Sequence, residues 1–269
     1  GERILYVHNT PLEDADGRRS GILVVLNDVT HLRKLENMRK DFAANVSHEI
    51  KTPLTAIKGF VETLRTGGKA EPKETERFLT IIDKHVNRLT AIIEDLMKLS
   101  KIEQQDEKSE IYLEESSVKS VILSAVQTCR EKANAKEITI NLVCAEDISA
   151  WIDSRLMTQA MVNLIDNAIN YSSEKSDIQI SASLKDKELM IRVQDRGIGI
   201  PKEHLSRLFE RFYRVKDENT RFITGTGLGL PIVKGLLDSM GGFINVESTP
   251  GSGSKFTVTL PVKQTEQTG

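Results

Sequence analysis

Cysteine is scarce in this chain. Only Cys129 and Cys144 occur in 269 residues. They lack the spacing of a metal site or a redox motif and sit among apolar neighbours, so two buried thiols in a reducing compartment are expected. Net charge is scarce as well. A formal charge of -2 offers no electrostatic case for nucleic acid or for an anionic membrane surface, and no nucleic-acid partner is expected. There is no run of about 18 apolar residues, which predicts no membrane span, and no signal peptide is visible. Internal repeats and low-complexity stretches are missing too. The first residue is Gly1 rather than methionine, and the sequence reads as a piece of something longer.

What is present suits one large or two modest globular domains, with 39% hydrophobic and 28% charged residues. Residues 1 to 30 are too few for a domain. Ile4 to Val7 and Ile22 to Leu26 read as strands on either side of the turn-rich Asp14-Ala15-Asp16-Gly17, as in an ordinary hairpin. From His31 to Arg65 the pattern is helical, about 50 Å long. Phe42, Val46, Ile50, Leu54, Ile57, Val61 and Leu64 form one apolar stripe along it. Gly67-Gly68 breaks the pattern. A second helical run follows from Lys73 to Gln104, with a heptad seam at Phe78, Ile82, His85, Leu89, Ile92, Leu96 and Leu99. His85 lies on that seam and reads as a packing residue. Two long helices joined by a short turn have too little core alone, which predicts a homodimer with a four-helix bundle.

Residues 103 to 110 are polar and charged and read as a linker. Beyond it, Ser116-Ser117 is placed to cap a helix from Val118 to Lys132. Strands are expected at Ile138 to Val143, Ile178 to Leu184, Leu189 to Gln194, Phe243 to Ser248 and Lys255 to Leu260. Helices are expected at Ser154 to Ile169 and Leu228 to Met240. The fold class is therefore multidomain, a long helical hairpin followed by an α/β sandwich.

One histidine stands out. Residues 45 to 55 read Asn-Val-Ser-His-Glu-Ile-Lys-Thr-Pro-Leu-Thr. At about 100° per residue, His48 falls opposite the apolar stripe and faces solvent, with Lys51, Thr52 and Thr55 near it. A neutral imidazole has one nucleophilic nitrogen, and Glu49 is placed to take or orient the proton on the other. Pro53 cannot donate to the carbonyl of Glu49, so the helix should bend beside the histidine.

Three further clusters carry chemistry. In Asn163-Leu-Ile-Asp-Asn167-Ala-Ile-Asn170-Tyr171, the three asparagines share one helical face, and amide oxygens suit a hard cation such as Mg²⁺. In Asp195-Arg-Gly197-Ile-Gly199-Ile-Pro201, a strand ends in an acid followed by glycines that permit close backbone approach to a ligand. The carboxylate there can accept from the exocyclic amine of adenine. Gly225-Thr226-Gly227-Leu228-Gly229 runs straight into a helix, whose N-terminus and exposed N–H groups favour phosphate. No Gly-Lys-Ser/Thr follows, so it is not a P-loop. Between the last two lie Phe209-Glu-Arg-Phe212-Tyr213-Arg214 and a polar stretch from Lys216 to Thr224, read as an apolar anchor and a mobile lid.

The segment around His48 resembles the H-box of sensor histidine kinases, in wording nearest the phosphate-sensing PhoR-like branch. The other clusters resemble the family's N-, G1-, F- and G2-boxes, in the family's order. The resemblance covers residues 25 to 262. It implies a dimerisation and phosphotransfer hairpin (31–105) and a catalytic ATP-binding domain (106–269). Residues 1–30 resemble the end of a PAS-like sensor domain and its signalling linker. Also implied are ATP and Mg²⁺, with the metal on Asn167 and support from Asn163 and Tyr171. Adenine would meet Asp195 beside Gly197 and Gly199, phosphates the Gly225, Thr226, Gly227, Leu228 and Gly229 loop, and the γ-phosphate Arg214. Many members carry Lys or His where Asn170 stands, so a charged phosphate contact at that position is not expected.

The activity implied is transfer of the γ-phosphoryl group to His48 Nε2, with Glu49 at Nδ1, then to an aspartate of a response regulator receiver domain. The linker would act as a hinge. The pattern His48-Glu-x-x-Thr52 implies a phosphatase of that regulator, with Thr52 positioning a water. The resemblance also implies the cytoplasmic portion of a membrane-anchored bacterial receptor, membrane contact coming only through an N-terminal portion beyond this sequence. Two rivals are a conformational ATPase, since the ATP-binding half also resembles DNA gyrase, MutL and heat-shock chaperones, and a dimeric scaffold that binds ATP as a structural ligand.

Overall fold

The computed structural model describes residues 3–13, 19–66, 72–108, 111–146, 148–215 and 225–262. The turn at Asp14 to Gly17, the break at Gly67-Gly68, the end of the linker at 109–110 and the lid at 216–224 lie outside them. The chain divides into two compact units, Gly1–Thr52 and Pro53–Gly269. That division falls inside a helix.

In the first unit, β1 (Leu5–Glu13) and β2 (Arg19–Asp28) pair antiparallel. They are longer than the apolar cores that betrayed them, because a two-stranded ladder continues through polar residues once it is in register. Val29 then leads into α1 (Thr30–Thr66), whose Thr30 N–H donates to Asp28 Oδ1 at 3.0 Å. The helix runs on through Pro53.

The second unit begins with the rest of α1 and α2 (Pro72–Lys108), which together form a helical hairpin. Phe60 and Phe78 meet across it with ring centroids 5.5 Å apart. All seven residues of the expected α2 seam are buried or half-buried. On α1 the stripe needs correction. Pro53 is buried and Phe60 half-buried, while their neighbours Leu54 and Val61 are 54% and 40% exposed. The α2 helix also continues to Lys108, so most of the expected linker is helical.

The α/β domain contains α3 (Val118–Ala135), β4 (Thr139–Cys144), α4 (Ser154–Tyr171), β6 (Asp177–Lys185), β7 (Glu188–Gln194), α6 (Gly229–Ser239), β8 (Phe243–Thr249) and β9 (Gly253–Pro261). A mixed five-stranded sheet runs in the order β4-β6-β7-β9-β8, parallel only between β4 and β6. Two strands escaped the sequence reading. These are β3 (Glu114–Ser117) and β5 (Ser149–Ile152), which pair with each other. A single helical turn, α5 (Lys202–Leu205), was also missed.

Alternate residues of the sheet point into one core: Ile178 and Ile180, Leu189, Ile191 and Val193, and Phe256, Val258 and Leu260. Helices α3, α4 and α6 cover that face. Each fully buried aliphatic side chain contributes on the order of 2 kcal/mol.

Candidate active site

The α4 helix is fixed at its start and along one side. Asp153 caps it by accepting from the N–H groups of Arg155 and Leu156 at 3.1 and 3.0 Å. Leu156, Ala160, Met161, Leu164, Ile165, Ala168 and Ile169 are buried on its inner side. That leaves the half-buried Asn163, Asn167 and Asn170 to line a cavity of about 1340 Å³. Asn163 accepts from Gln159 Nε2 at 3.4 Å, while its own Nδ2 is buried with no hydrogen bond. Asn170 donates to Asp166 Oδ2 at 3.1 Å.

Asp195 also lines the cavity and is only 4% exposed. Its Oδ1 accepts from Gly197 N at 2.8 Å and Ser254 N at 3.2 Å. Burial raises this carboxyl above its ordinary range, and those N–H donors only partly oppose it. Because both bonds land on Oδ1, Oδ2 is the oxygen that can serve a ligand.

The two glycines that follow have a reason other than ligand approach. A Cβ on Gly197 would lie 2.2 Å from the carbonyl oxygen of Tyr171, and one on Gly199 only 2.0 Å from that of Thr249. Gly199 also has φ +69°. Gly199 lines the cavity and Gly197 does not. Gly199→Ala should therefore lower the domain's stability by about 2 kcal/mol, read as a shift in denaturant midpoint. An unchanged midpoint would mean that the loop is free to move away.

The glycine loop and the F-box are joined. Phe212, at φ +63°, donates its N–H to Gly227 O at 2.9 Å, and a Cβ on Gly227 would lie 2.8 Å from the Phe212 backbone. A bulky residue in the left-handed region persists only where its surroundings hold it there. Gly225, Thr226, Gly227 and Gly229 line the cavity, whereas Leu228 is fully buried in the core and anchors the loop. Arg214 lines it too, and its charge partly offsets the effect of burial, which raises the Tyr171 hydroxyl.

The opposite wall comes from α2, which no motif announced. Thr226 Oγ1 donates to Asp95 Oδ2 at 2.7 Å and accepts from Leu228 N at 3.2 Å. Asp95 also pairs with Lys98 at 3.6 Å. The cavity runs along this helix from Thr80 to Lys98, which explains a volume larger than a nucleotide requires. Cys129 borders it as an inert thiol, pushed up to about 11 by burial and then by Asp166. Cys144 is half-buried, more open than expected.

Among the described residues, no group of three or more His, Cys, Asp or Glu could cage a metal. A cation held here by an asparagine oxygen would take its remaining ligands from phosphates and water, which is the coordination Mg²⁺ favours. The buried, unpartnered Asn163 Nδ2 adds a donor on the same wall.

His48, Glu49 and Thr52 lie on α1 in the first unit. His48 is exposed and Glu49 half-buried. Thr52 Oγ1 donates to the His48 carbonyl at 3.0 Å, which fixes its rotamer and turns the remaining lone pairs outward.

Comparison with known proteins agrees with this layout. Residues 38–105 match the His Kinase A (phospho-acceptor) domain, and residues 152–264 match the Histidine kinase-, DNA gyrase B-, and HSP90-like ATPase family. Both parts of a histidine kinase are therefore present, a phospho-acceptor domain and an ATPase domain. The sensor histidine kinase WalK of Bacillus subtilis (strain 168) is 34% identical over 267 residues, covering 98% of this chain and 43% of that protein. The sensor protein SrrB of Staphylococcus aureus (strain NCTC 8325 / PS 47) is 33% identical over 248 residues, 91% of this chain and 42% of that one. The chain thus spans less than half the length of these relatives. Among solved structures, histidine kinase ThkA in complex with response regulator protein TrrA is 25% identical, with a TM-score of 0.68. That likeness covers 98% of this chain and 76% of the other. Among the described residues, no helix is long and apolar enough to cross a membrane.

Proposed function

We propose that the chain transfers the γ-phosphoryl group of ATP to His48 and then to an aspartate of a response regulator receiver domain. The observation that carries this reading is an exposed imidazole at the H-box position of a chain that also holds a cavity roomy enough for a nucleotide, lined by Asp195 and by the glycine loop. His48 Nε2 attacks the γ-phosphorus while the bond to the β–γ bridging oxygen breaks, and ADP leaves. Glu49 holds or accepts the proton at Nδ1. Asp195 Oδ2 accepts from the adenine amine, the Gly225–Gly229 loop holds phosphate, and Arg214 balances charge on the transferring group. Mg²⁺ would be held by Asn167, with Asn163 and Tyr171 beside it, and would supply charge neutralisation between the phosphates.

The same reading divides the chain into the end of a PAS-like sensor at 1–30, a dimerising phosphotransfer hairpin at 31–105 and an ATP-binding domain at 106–269. It makes the protein a homodimer, PhoR-like in the wording of its H-box, and the cytoplasmic part of a membrane-anchored receptor. A relative's structure in complex with a response regulator supports the choice of partner. The test is acid-labile, base-stable label on the chain from γ-labelled ATP, chased onto a receiver domain. Sustained phosphate release with no labelled chain would favour the conformational ATPase instead.

A phosphatase role for Thr52 belongs to the same proposal. Its outward lone pairs can accept from a water lying one helical turn from His48. Thr52→Ala should cut dephosphorylation of the regulator by about tenfold and leave labelling of the chain intact. Equal phosphatase rates in parent and variant would remove this role.

A further inference from the structure

A cluster at the edge of the pocket, where Tyr213 lines the cavity, ties the segment after the Asp195 loop to the F-box. His204, on α5, begins three residues after Pro201 closes the Asp195 loop, and its N–H donates to Pro201 O at 3.0 Å. Its Nδ1 lies 2.6 Å from the hydroxyl oxygen of Tyr213. Either tautomer of the ring satisfies that contact, as donor or as acceptor. The Arg207 guanidinium sits 4.3 Å above the Tyr213 ring and donates from Nε and Nη2 to the Glu210 carboxylate, at 3.1 and 2.9 Å. The Tyr213 N–H donates to Glu210 O at 3.2 Å. Tyr213 is thus gripped at its ring face, its hydroxyl and its backbone.

Its neighbours explain what that grip does. On one side is Phe212, strained at φ +63° and bonded to Gly227 of the glycine loop. On the other is Arg214, which lines the cavity and whose charge reaches Tyr171. A single residue therefore separates the backbone tie from the guanidinium. Rotation about the Tyr213 backbone is the freedom that would swing Arg214 away, and the bond to His204 removes it.

We propose that His204 and Tyr213 are a positioning pair that aims Arg214 at the terminal phosphate of the nucleotide. This rests on the reading above that Arg214 meets the γ-phosphate. The pair does not touch the reacting atoms. It fixes the F-box end of the pocket to the short helix that follows the adenine end, so the two ends keep their spacing. His204 belongs to none of the sequence motifs. Its partner stands nine residues away.

The test uses the full chain and compares binding of ATP and ADP, with Mg²⁺, alongside the labelling rate. Tyr213→Phe removes one oxygen and keeps the ring under Arg207. It should leave ADP affinity within about twofold and reduce the preference for ATP over ADP, and kcat, by about tenfold. His204→Ala should do the same, and His204→Asn, with a polar atom near the place of Nδ1, should restore most of the loss. Combined with Arg214→Ala, Tyr213→Phe should add nothing further. Parent-like preference in Tyr213→Phe, equal weakening of ATP and ADP, or additive effects would overturn the proposal. If Arg214→Ala itself leaves the preference unchanged, the reading of Arg214 fails and the pair's role with it. If Arg214→Ala removes the preference and Tyr213→Phe does not, the pair alone fails.

Discussion

His48→Gln is expected to abolish phosphoryl labelling of the chain, a loss of about a thousandfold or more, with ADP binding and stability unchanged. The glutamine amide nitrogen is not a nucleophile. His85 is half-buried on the α2 seam. Folding should be spared because His48 is exposed, and substitutions at such positions usually fall within about 0.5 kcal/mol. The one contact that it makes with Thr52 uses its backbone carbonyl, which the substitution keeps. Label that survives would move the acceptor elsewhere and break the central claim. Lost label together with lost ADP binding would mean a folding defect rather than a missing acceptor.

Asp195→Asn should weaken ATP binding by about a hundredfold while holding or raising the melting temperature. The reason is directional. Two N–H donors hold Oδ1, so an asparagine must place its carbonyl oxygen there and turn its NH₂ toward the ligand. A donor would then meet the adenine amine, another donor, where a charge-assisted bond had been. Guanine offers a carbonyl at that position, so the preference for ATP over GTP should shrink as well.

Stability moves the other way. Burial holds the Asp195 carboxyl above its ordinary value of 3.8. The folded chain therefore binds this proton more tightly than the unfolded one. Its contribution is best below the ordinary value and falls as pH rises to the raised one, and above that the full cost of the buried charge remains. The variant lacks that cost, so melts of parent and variant should differ most near neutral pH and converge in acid. Unchanged ATP affinity would remove Asp195 from the adenine site. A lower melting temperature near neutral pH would show that the carboxylate holds the loop together.

Most elements were legible because their patterns were long. The seven α2 seam positions form one inner face, and the main strands sit within a few residues of their expected places. The α1 stripe was harder, since apolar residues stand side by side at 53–54 and 60–61, and a proline is read as a breaker before it is read as core. Strand β3 is Glu-Glu-Ser-Ser and β5 has four residues, too short and too polar for alternation to show. The pocket's motifs were visible from spacing, but not the wall built by Asp95. That residue meets Thr226 across 131 positions, and no local pattern carries such a contact.

Glycines in and around the pocket answer to two different requirements. At 197, 199 and 253 the place of a side chain is already taken by carbonyl oxygens of Tyr171, Thr249 and Asp195, at 2.0–2.2 Å. No rotamer change can clear a backbone atom, so at these positions the requirement comes from the protein itself and persists whatever the chain binds. At 225 none of the described residues comes within 4 Å of that place, and at 229 the nearest group is the Asn167 amide, at 3.9 Å. Folding alone would tolerate alanine at both. A lineage that gave up nucleotide could drift freely at 225 and 229 while keeping glycine at 197, 199 and 253. The first set answers to architecture and the second to use.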